Sequence, residues 1–406
     1  MIEINDSRIK VETLEVIVKI TERCNINCTY CYYFNGGNTD FEGKPVYIDA
    51  QTVKDVTRFL CEAVEAHGIK QVQIDLHGGE PLLLKKHRFR EMMQTFRDAL
   101  DEQVELRVAL QTNAMLIDDE WIELFETYRV SVGVSLDGTQ ADNDTYRLDH
   151  QGRGTYDATI AGLRKLQAAW AAKRIYRPGV ICVVNPEFDG AAIYRHIVDD
   201  LGVKAIHFSS LDYSRDGAPE GVVEGTARFY AGALAEWLKD SNPDIMVRIF
   251  GFLLSRITTT SPRDENVYRY VALTIRSDGE LSGPDDLRNA VPGLFDLKMN
   301  VGTHSLGTYL GHPAVGKMTK DIARLPDACR SCGFARACEA GKSFSAAANR
   351  YSFASGFNNR SLYCSAYTEI LLTLGKYAVA RGVSWAQIEQ ALRAATDAEA
   401  PSLALA

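Results

Sequence analysis

At 406 residues the chain is longer than one ordinary core, and 46% hydrophobic and 24% charged residues with only 12 prolines exclude a largely disordered protein. A net charge of −8 gives no general attraction to phosphate backbones, so nucleic acid is excluded as an expected partner. The first twenty residues carry acidic groups where a signal peptide needs a basic segment, and no run of about 18 apolar residues occurs, so no membrane partner is expected and the expected location is cytoplasmic.

Between residues 14 and 240, short β-branched runs alternate with longer amphipathic stretches, the pattern of repeated βα units around a parallel sheet. Strands are predicted at residues 14–20, 72–76, 106–111, 131–135, 179–184 and 205–209. Helices follow at 49–66, 86–100, 118–128, 155–172, 191–201 and 223–239. Six such units are too few for a closed eight-stranded barrel, so the expected fold is α/β, a partial (β/α)6 TIM-like barrel, with an open doubly wound sheet as the structural alternative. The expected division is a barrel over 1–240, a helical linker over 241–269, a small cysteine-rich domain over 270–366, and C-terminal helices over 367–406. Those helices are placed at 362–379 and 383–394, with the last dozen residues frayed.

Barrel sites form where strands hand over to loops. Cys24 follows the first strand, His77-Gly78-Gly79-Glu80-Pro81 the second, Gln111-Thr112-Asn113 the third, Ser135 to Gly138 the fourth and Asn185 the fifth. Seven of the nine cysteines are clustered, which in a cytosolic protein points to metal rather than disulfides. Cys61 and Cys182 lie in apolar patterns and read as small buried hydrophobes.

Cys24, Cys28 and Cys31 have C-x3-C-x2-C spacing. Three thiolates fill three corners of a [4Fe–4S] cube and leave one iron open. This spacing, with Tyr30 before the last cysteine and Gly78-Gly79-Glu80-Pro81 after the next strand, resembles the radical S-adenosylmethionine (SAM) superfamily over residues 14–240. The resemblance implies that the open iron chelates SAM and that its reductive cleavage yields a 5′-deoxyadenosyl radical. It further implies that Tyr30 packs on adenine, that Gly78, Gly79 and Glu80 receive the methionine ammonium, and that Ser135 and Arg147 fix the ribose and carboxylate. For the last two, a strand-end cap and a solvated charge are the alternatives. Gln111 and Asn113 either line the same pocket or cap the following helix, whose predicted N-cap is Asp118.

Cys329, Cys332, Cys338 and Cys364 supply four thiolates, enough to close either an iron–sulfur cluster or a zinc site. Behind a radical SAM barrel this run is similar to the SPASM extension, a twitch-like auxiliary-cluster domain, and the resemblance implies [4Fe–4S]. A full SPASM pattern has seven cysteines. Lys342 and Pro284 stand here where two of them would fall, so two clusters are expected, one binding SAM and one auxiliary. The same alignment makes Asp285 a candidate catalytic base, although Asp286 would serve equally and both fit a turn.

The segment Cys31 to Gly37 and the His77 to Pro81 run look most like maturases of ribosomally made peptides, including those that form three-residue cyclophanes. That resemblance implies a precursor-peptide partner and an external one-electron donor such as a flavodoxin or ferredoxin. Too few residues precede the first strand for a separate peptide-recognition domain. Two alternatives stand beside it: a sulfatase-maturing, formylglycine-forming oxidase, and a non-enzymatic iron–sulfur sensor or electron carrier.

Overall fold

The computed structural model describes residues 10–259, 269–342 and 344–393. The expected terminal fraying, the last residue of the helix placed at 383–394 and part of the 241–269 linker lie outside them. The strands are β1 (Thr13–Thr21), β2 (Gln71–Gly78), β3 (Glu105–Thr112), β4 (Val130–Ser135), β5 (Gly179–Val184), β6 (Ala205–Ser210), β7 (Met246–Val247), β8 (Tyr270–Ile275) and β9 (Leu281–Ser282). The helices begin with α1 (Ala50–His67), α2 (Lys86–Leu100), α3 (Asp119–Thr127), α4 (Gln140–Tyr146), α5 (Tyr156–Ala171), α6 (Gly190–Arg195), α7 (Val222–Asp240) and α8 (Arg248–Thr258). They continue with α9 (Leu306–Gly311), α10 (Pro313–Ala323), α11 (Ala335–Cys338), α12 (Cys364–Ala380) and α13 (Trp385–Arg393).

All six expected strands are present, and the helices differ from expectation at their ends for physical reasons. Asp49 and Asp118 are caps rather than first turns, their carboxylates accepting from Thr52 N at 2.7 Å and Trp121 N at 3.0 Å. The helix expected over 191–201 ends at Arg195 and continues as one wide π turn over His196–Asp200.

The chain forms two compact units. The first comprises Met1–Leu136, Gln140–Val180 and Asn266–Thr319. Within it the strand order is β4-β3-β2-β1-β8-β9, parallel except for the β8–β9 hairpin. β8 pairs with β1 from Thr13↔Tyr270 to Val18↔Ile275, a neighbour from a distant stretch of chain that no local pattern announces.

Side chains alternate faces along a strand. One face of this sheet is aliphatic: Leu14, Val16, Val18 and Ile20 of β1 and Val72, Ile74 and Leu76 of β2 are fully buried. Under it the rings of Phe89, Trp121 and Phe125 pack edge to face or stacked, with Phe89 and Trp121 centroids 5.1 Å apart. The other face carries Lys19, Asp75, His77, Gln111 and Ser135 at alternating positions. A parallel sheet covered on both faces reads apolar throughout, so polar residues along one face mark a surface reserved for something other than packing.

The second unit comprises Asp137–Thr139, Ile181–Glu265 and Lys320–Ala406. It holds most of β5 with β6 and β7, the last pair parallel, and it packs α12 against α7 and α8. Among the described residues, no helix is long and apolar enough to cross a membrane.

Candidate functional site

The three N-terminal cysteines lie in the loop leaving β1, and that loop is fixed from several sides. Asn27 N and Thr29 N donate to Leu148 O at 2.7 Å and Tyr146 O at 3.0 Å, and Cys31 N closes a turn onto Cys28 O at 3.0 Å. His150 Nε2 lies 2.9 Å from Cys24 O, and Asn35 Nδ2 donates to Cys28 O at 2.8 Å. Burial pushes the Cys24 thiol up to about 12, with the negative charges of Glu80, Cys28 and Cys31 adding to the rise. The three sulfurs therefore share one electrostatic neighbourhood, as ligands of one cluster must, and a positive metal centre is what would hold them as thiolates.

Gly78 and Gly79 press against this loop. Gly79 N donates to Thr21 O at 3.0 Å and Glu80 N to Arg23 O at 2.8 Å. A Cβ on Gly78 would clash with the Thr21 carbonyl, and one on Gly79 with that of Arg23; Gly78 also has φ of +148°. The glycines are required by close backbone approach, whatever else they bind.

Glu80 is buried and already engaged: Oε1 accepts from Leu82 N at 3.0 Å and Thr112 Oγ1 at 2.7 Å, and Oε2 from Asn113 N at 2.8 Å. Burial raises its pKa, opposed by these hydrogen bonds and by the charge of Arg147. Asn113 extends the tie, its Nδ2 donating to Asn25 Oδ1 at 2.7 Å and its Oδ1 accepting from Met115 N at 3.1 Å. It does not cap the following helix, because Asp118 does. Gln111 Nε2 donates to Ser135 Oγ at 2.7 Å, and Arg147 Nη1 to Tyr30 Oη at 3.0 Å.

In the second unit, Cys329, Cys332, Cys338 and Cys364 all line one cavity of about 190 Å³, which Phe334 and Leu371 also line. Burial raises the Cys338 thiol to about 12, and the charges of Cys364, Cys329 and Cys332 add to it. Among the described residues no three His, Cys, Asp or Glu side chains converge on a single ion. A four-iron cube does not require that convergence, since each thiolate takes its own corner. The cavity offers the four-thiol donor set that such a cluster takes.

Residues 18–186 match the family model of the radical SAM superfamily. The chain carries a radical SAM domain. A serine-type anaerobic sulfatase-maturating enzyme of Klebsiella aerogenes is 28% identical over 277 residues, 66% of this chain and 65% of that protein. Its namesake in Bacteroides thetaiotaomicron is 26% identical over 265 residues, 60% of this chain and 61% of the relative. The chain thus spans just under two thirds of the length of these curated relatives. Among solved structures, native anSMEcpe with bound AdoMet and Kp18Cys peptide aligns with a TM-score of 0.72 at 21% identity, covering 93% of this chain and 99% of that one. That likeness shows the fold, the α/β radical SAM partial barrel.

On the polar face of the radical SAM domain the structure assembles Lys19, Tyr32, His77 and Asp285 into one group. Lys19 and His77 are cross-strand partners on β1 and β2. Lys19 Nζ lies 2.6 Å from Asp285 Oδ2, 3.1 Å from His77 Nδ1 and 3.4 Å from Tyr32 Oη. Tyr32 Oη also donates to Asp285 Oδ2. Burial works against the Asp285 carboxylate, but the charges of Lys19 and His77 and the hydrogen bonds of Lys19 and Tyr32 outweigh it and hold the group at about 2. Burial, with Lys19 beside it, lowers His77 to about 3. Asp285 Oδ1 is buried without a hydrogen-bond partner. The missed signal was Lys19 itself, a lone cation inside the β-branched run of β1.

Proposed function

We propose that this chain is a radical SAM peptide maturase that oxidises a side chain of a ribosomally made precursor peptide. In this reading it removes hydrogen from a β-carbon and closes a cross-link to an aromatic residue, a cyclophane. The observation that carries the oxidation is Asp285, a buried carboxylate with one unpartnered oxygen on the sheet face that also bears the strand-end motif His77 to Pro81. A peptide as substrate is supported by relatives named for maturating sulfatases and by a structural relative described with bound peptide.

When bound at Cys24, Cys28 and Cys31, a [4Fe–4S] cluster with SAM would supply a 5′-deoxyadenosyl radical, and Cys329, Cys332, Cys338 and Cys364 would hold an auxiliary cluster able to take an electron. The protein's own residues do the rest. Gly78 and Gly79 bring backbone against the cysteine loop, and Glu80 with Asn113 locks that loop to the end of β3. Tyr30 and Arg147, joined by a hydrogen bond, would meet the adenine and the carboxylate of SAM, and Ser135, bonded to Gln111, its ribose. Asp285 takes the proton lost when the substrate is oxidised. A flavodoxin- or ferredoxin-type protein supplies the reducing electron.

A second reading, formylglycine formation, is favoured by the names of the relatives. Formylglycine formation from serine removes two hydrogens, as cross-linking does, so mass alone does not separate these two; from cysteine it also exchanges sulfur for oxygen and is distinct by mass. Anaerobic co-expression with a precursor peptide should give a product lighter by two hydrogens whose fragmentation stops between the joined residues. A product that instead condenses with a hydrazide carries an aldehyde and would replace the cross-linking reading; unchanged peptide alongside active SAM cleavage would sink maturation of that precursor.

A further inference from the structure

Lys19 is fully buried and surrounded. An ammonium has three donors. Three acceptor atoms stand around Nζ, on Asp285, His77 and Tyr32, so no donor is left for a substrate. The lysine therefore acts through its neighbours. With Nδ1 facing an ammonium donor, His77 is the tautomer protonated on Nε2, a hydrogen-bond donor on its far side.

Asp285 Oδ2 accepts from both Lys19 and Tyr32, while Oδ1 has no partner. We propose, on the maturase reading above, that Lys19 is the positioning residue that keeps Asp285 ionised and turns its Oδ1 to the proton the oxidised substrate must lose. In that step the substrate's X–H bond breaks heterolytically. The electron pair stays on the substrate, the proton passes to Oδ1, and Asp285 becomes a neutral acid still hydrogen-bonded to Lys19 through Oδ2. No oxidant is consumed in it.

The surroundings support a charged pair. Asp285 is faced by Lys19, His77 and Tyr32; Lys19 is faced in addition by the Tyr33 ring at 4.4 Å, by the negative charge of Glu22 and, opposing, by Arg288. Burial alone would discharge either partner. Each is retained by the other, so removing the lysine leaves an uncompensated buried carboxylate that takes up a proton and can no longer accept one.

Two measurements test this. The first needs no peptide: infrared difference spectra of the reconstituted protein at neutral pH should show a protonated-carboxyl band in K19M that is absent from wild type and from the K19M/D285N double variant. No such band in K19M overturns the proposal, whatever the substrate proves to be. The second measures cross-linked peptide formed per 5′-deoxyadenosine released. K19M should lower that ratio about 100-fold at pH 7, as loss of an acid–base group does, with partial recovery as pH rises. K19R should restore it to within about tenfold, and K19M should add nothing to D285N. A K19M profile with the wild-type pH dependence, or K19M and D285N losses that multiply, would overturn it. Wild-type protein that releases 5′-deoxyadenosine but alters no peptide would instead count against the maturase reading.

Discussion

Between Cys24 and Cys31 the chain is anchored by Leu148, Tyr146, Asn113 and the Gly78–Glu80 backbone, none of which depends on a bound group. Between Cys329 and Cys364 the described residues include no strand, and the support comes from side chains: Arg350 donates to Ile322 O, Arg324 O and Phe357 O, each at 2.9 Å, and Arg360 Nε to Ala328 O at 3.1 Å. Short turns over Asp327–Cys329 and Ala335–Cys338 carry two of the four thiols, Cys332 lies between them, Cys364 opens α12, and all four line one cavity. Directly after Cys338 three residues in succession take positive φ, Glu339 at 46°, Ala340 at 57° and Gly341 at 87°. Two of them are not glycine, a conformation that costs of order 1–3 kcal/mol each and persists only where something else holds it. One cysteine group thus stands on the end of a sheet strand, whereas the other stands among short turns beside strained backbone, where a bound cluster has more left to stabilise.

The largest expected effect separates the two directly. Cys338→Ala should remove a ligand whose cluster staples its surroundings, lowering the unfolding temperature of the reconstituted protein by about 10 °C or more. Cys28→Ala should shift it by under about 3 °C, because the loop has its own anchors. Equal shifts in calorimetry would erase the distinction. Next, Gly78→Ala forces a Cβ into the Thr21 carbonyl, a backbone neighbour that cannot swing away, and should cost about 2–4 kcal/mol by urea unfolding.

Asn113→Ala sharpens the comparison further. It removes the 2.7 Å donor to Asn25 Oδ1 beside Cys24, so the expected loss is about 1–2 kcal/mol of stability together with roughly 10- to 100-fold weaker iron retention, read by chelator competition. The smallest effect is a pH slope. His77 is held at about 3 instead of its ordinary 6.5, so as pH falls below about 6.5 the unfolded chain binds a proton that the native protein refuses, and stability drops. Between pH 7 and 5.5 that amounts to about 1 kcal/mol, and His77→Gln should flatten the urea midpoint across this window. The Asp285 contribution lies lower: it is present above about 4 and lost toward about 2, where its carboxylate finally protonates.

The six βα units were legible because each strand is a local β-branched run closed by a local cap, as at Asp118. β8 was not, since Tyr270–Ile275 earns its place only by pairing with β1 across more than two hundred intervening residues. Within the site, the motif residues were readable from spacing, but their occupations were not. The hydrogen bonds by which Glu80 and Asn113 also brace the cysteine loop have no sequence signal, and Lys19 carries no motif at all; its meaning comes from standing opposite His77 and within reach of Asp285.

The central claim is that Cys24, Cys28 and Cys31 hold the cluster that cleaves SAM. Its most direct test is 5′-deoxyadenosine release under reducing, anaerobic conditions by reconstituted wild type, Cys28→Ala and Cys338→Ala, assayed at a temperature where all three are folded. The account predicts release by wild type, none from Cys28→Ala, and retained release from Cys338→Ala. Release that survives Cys28→Ala, or fails in iron-loaded wild type, would contradict it.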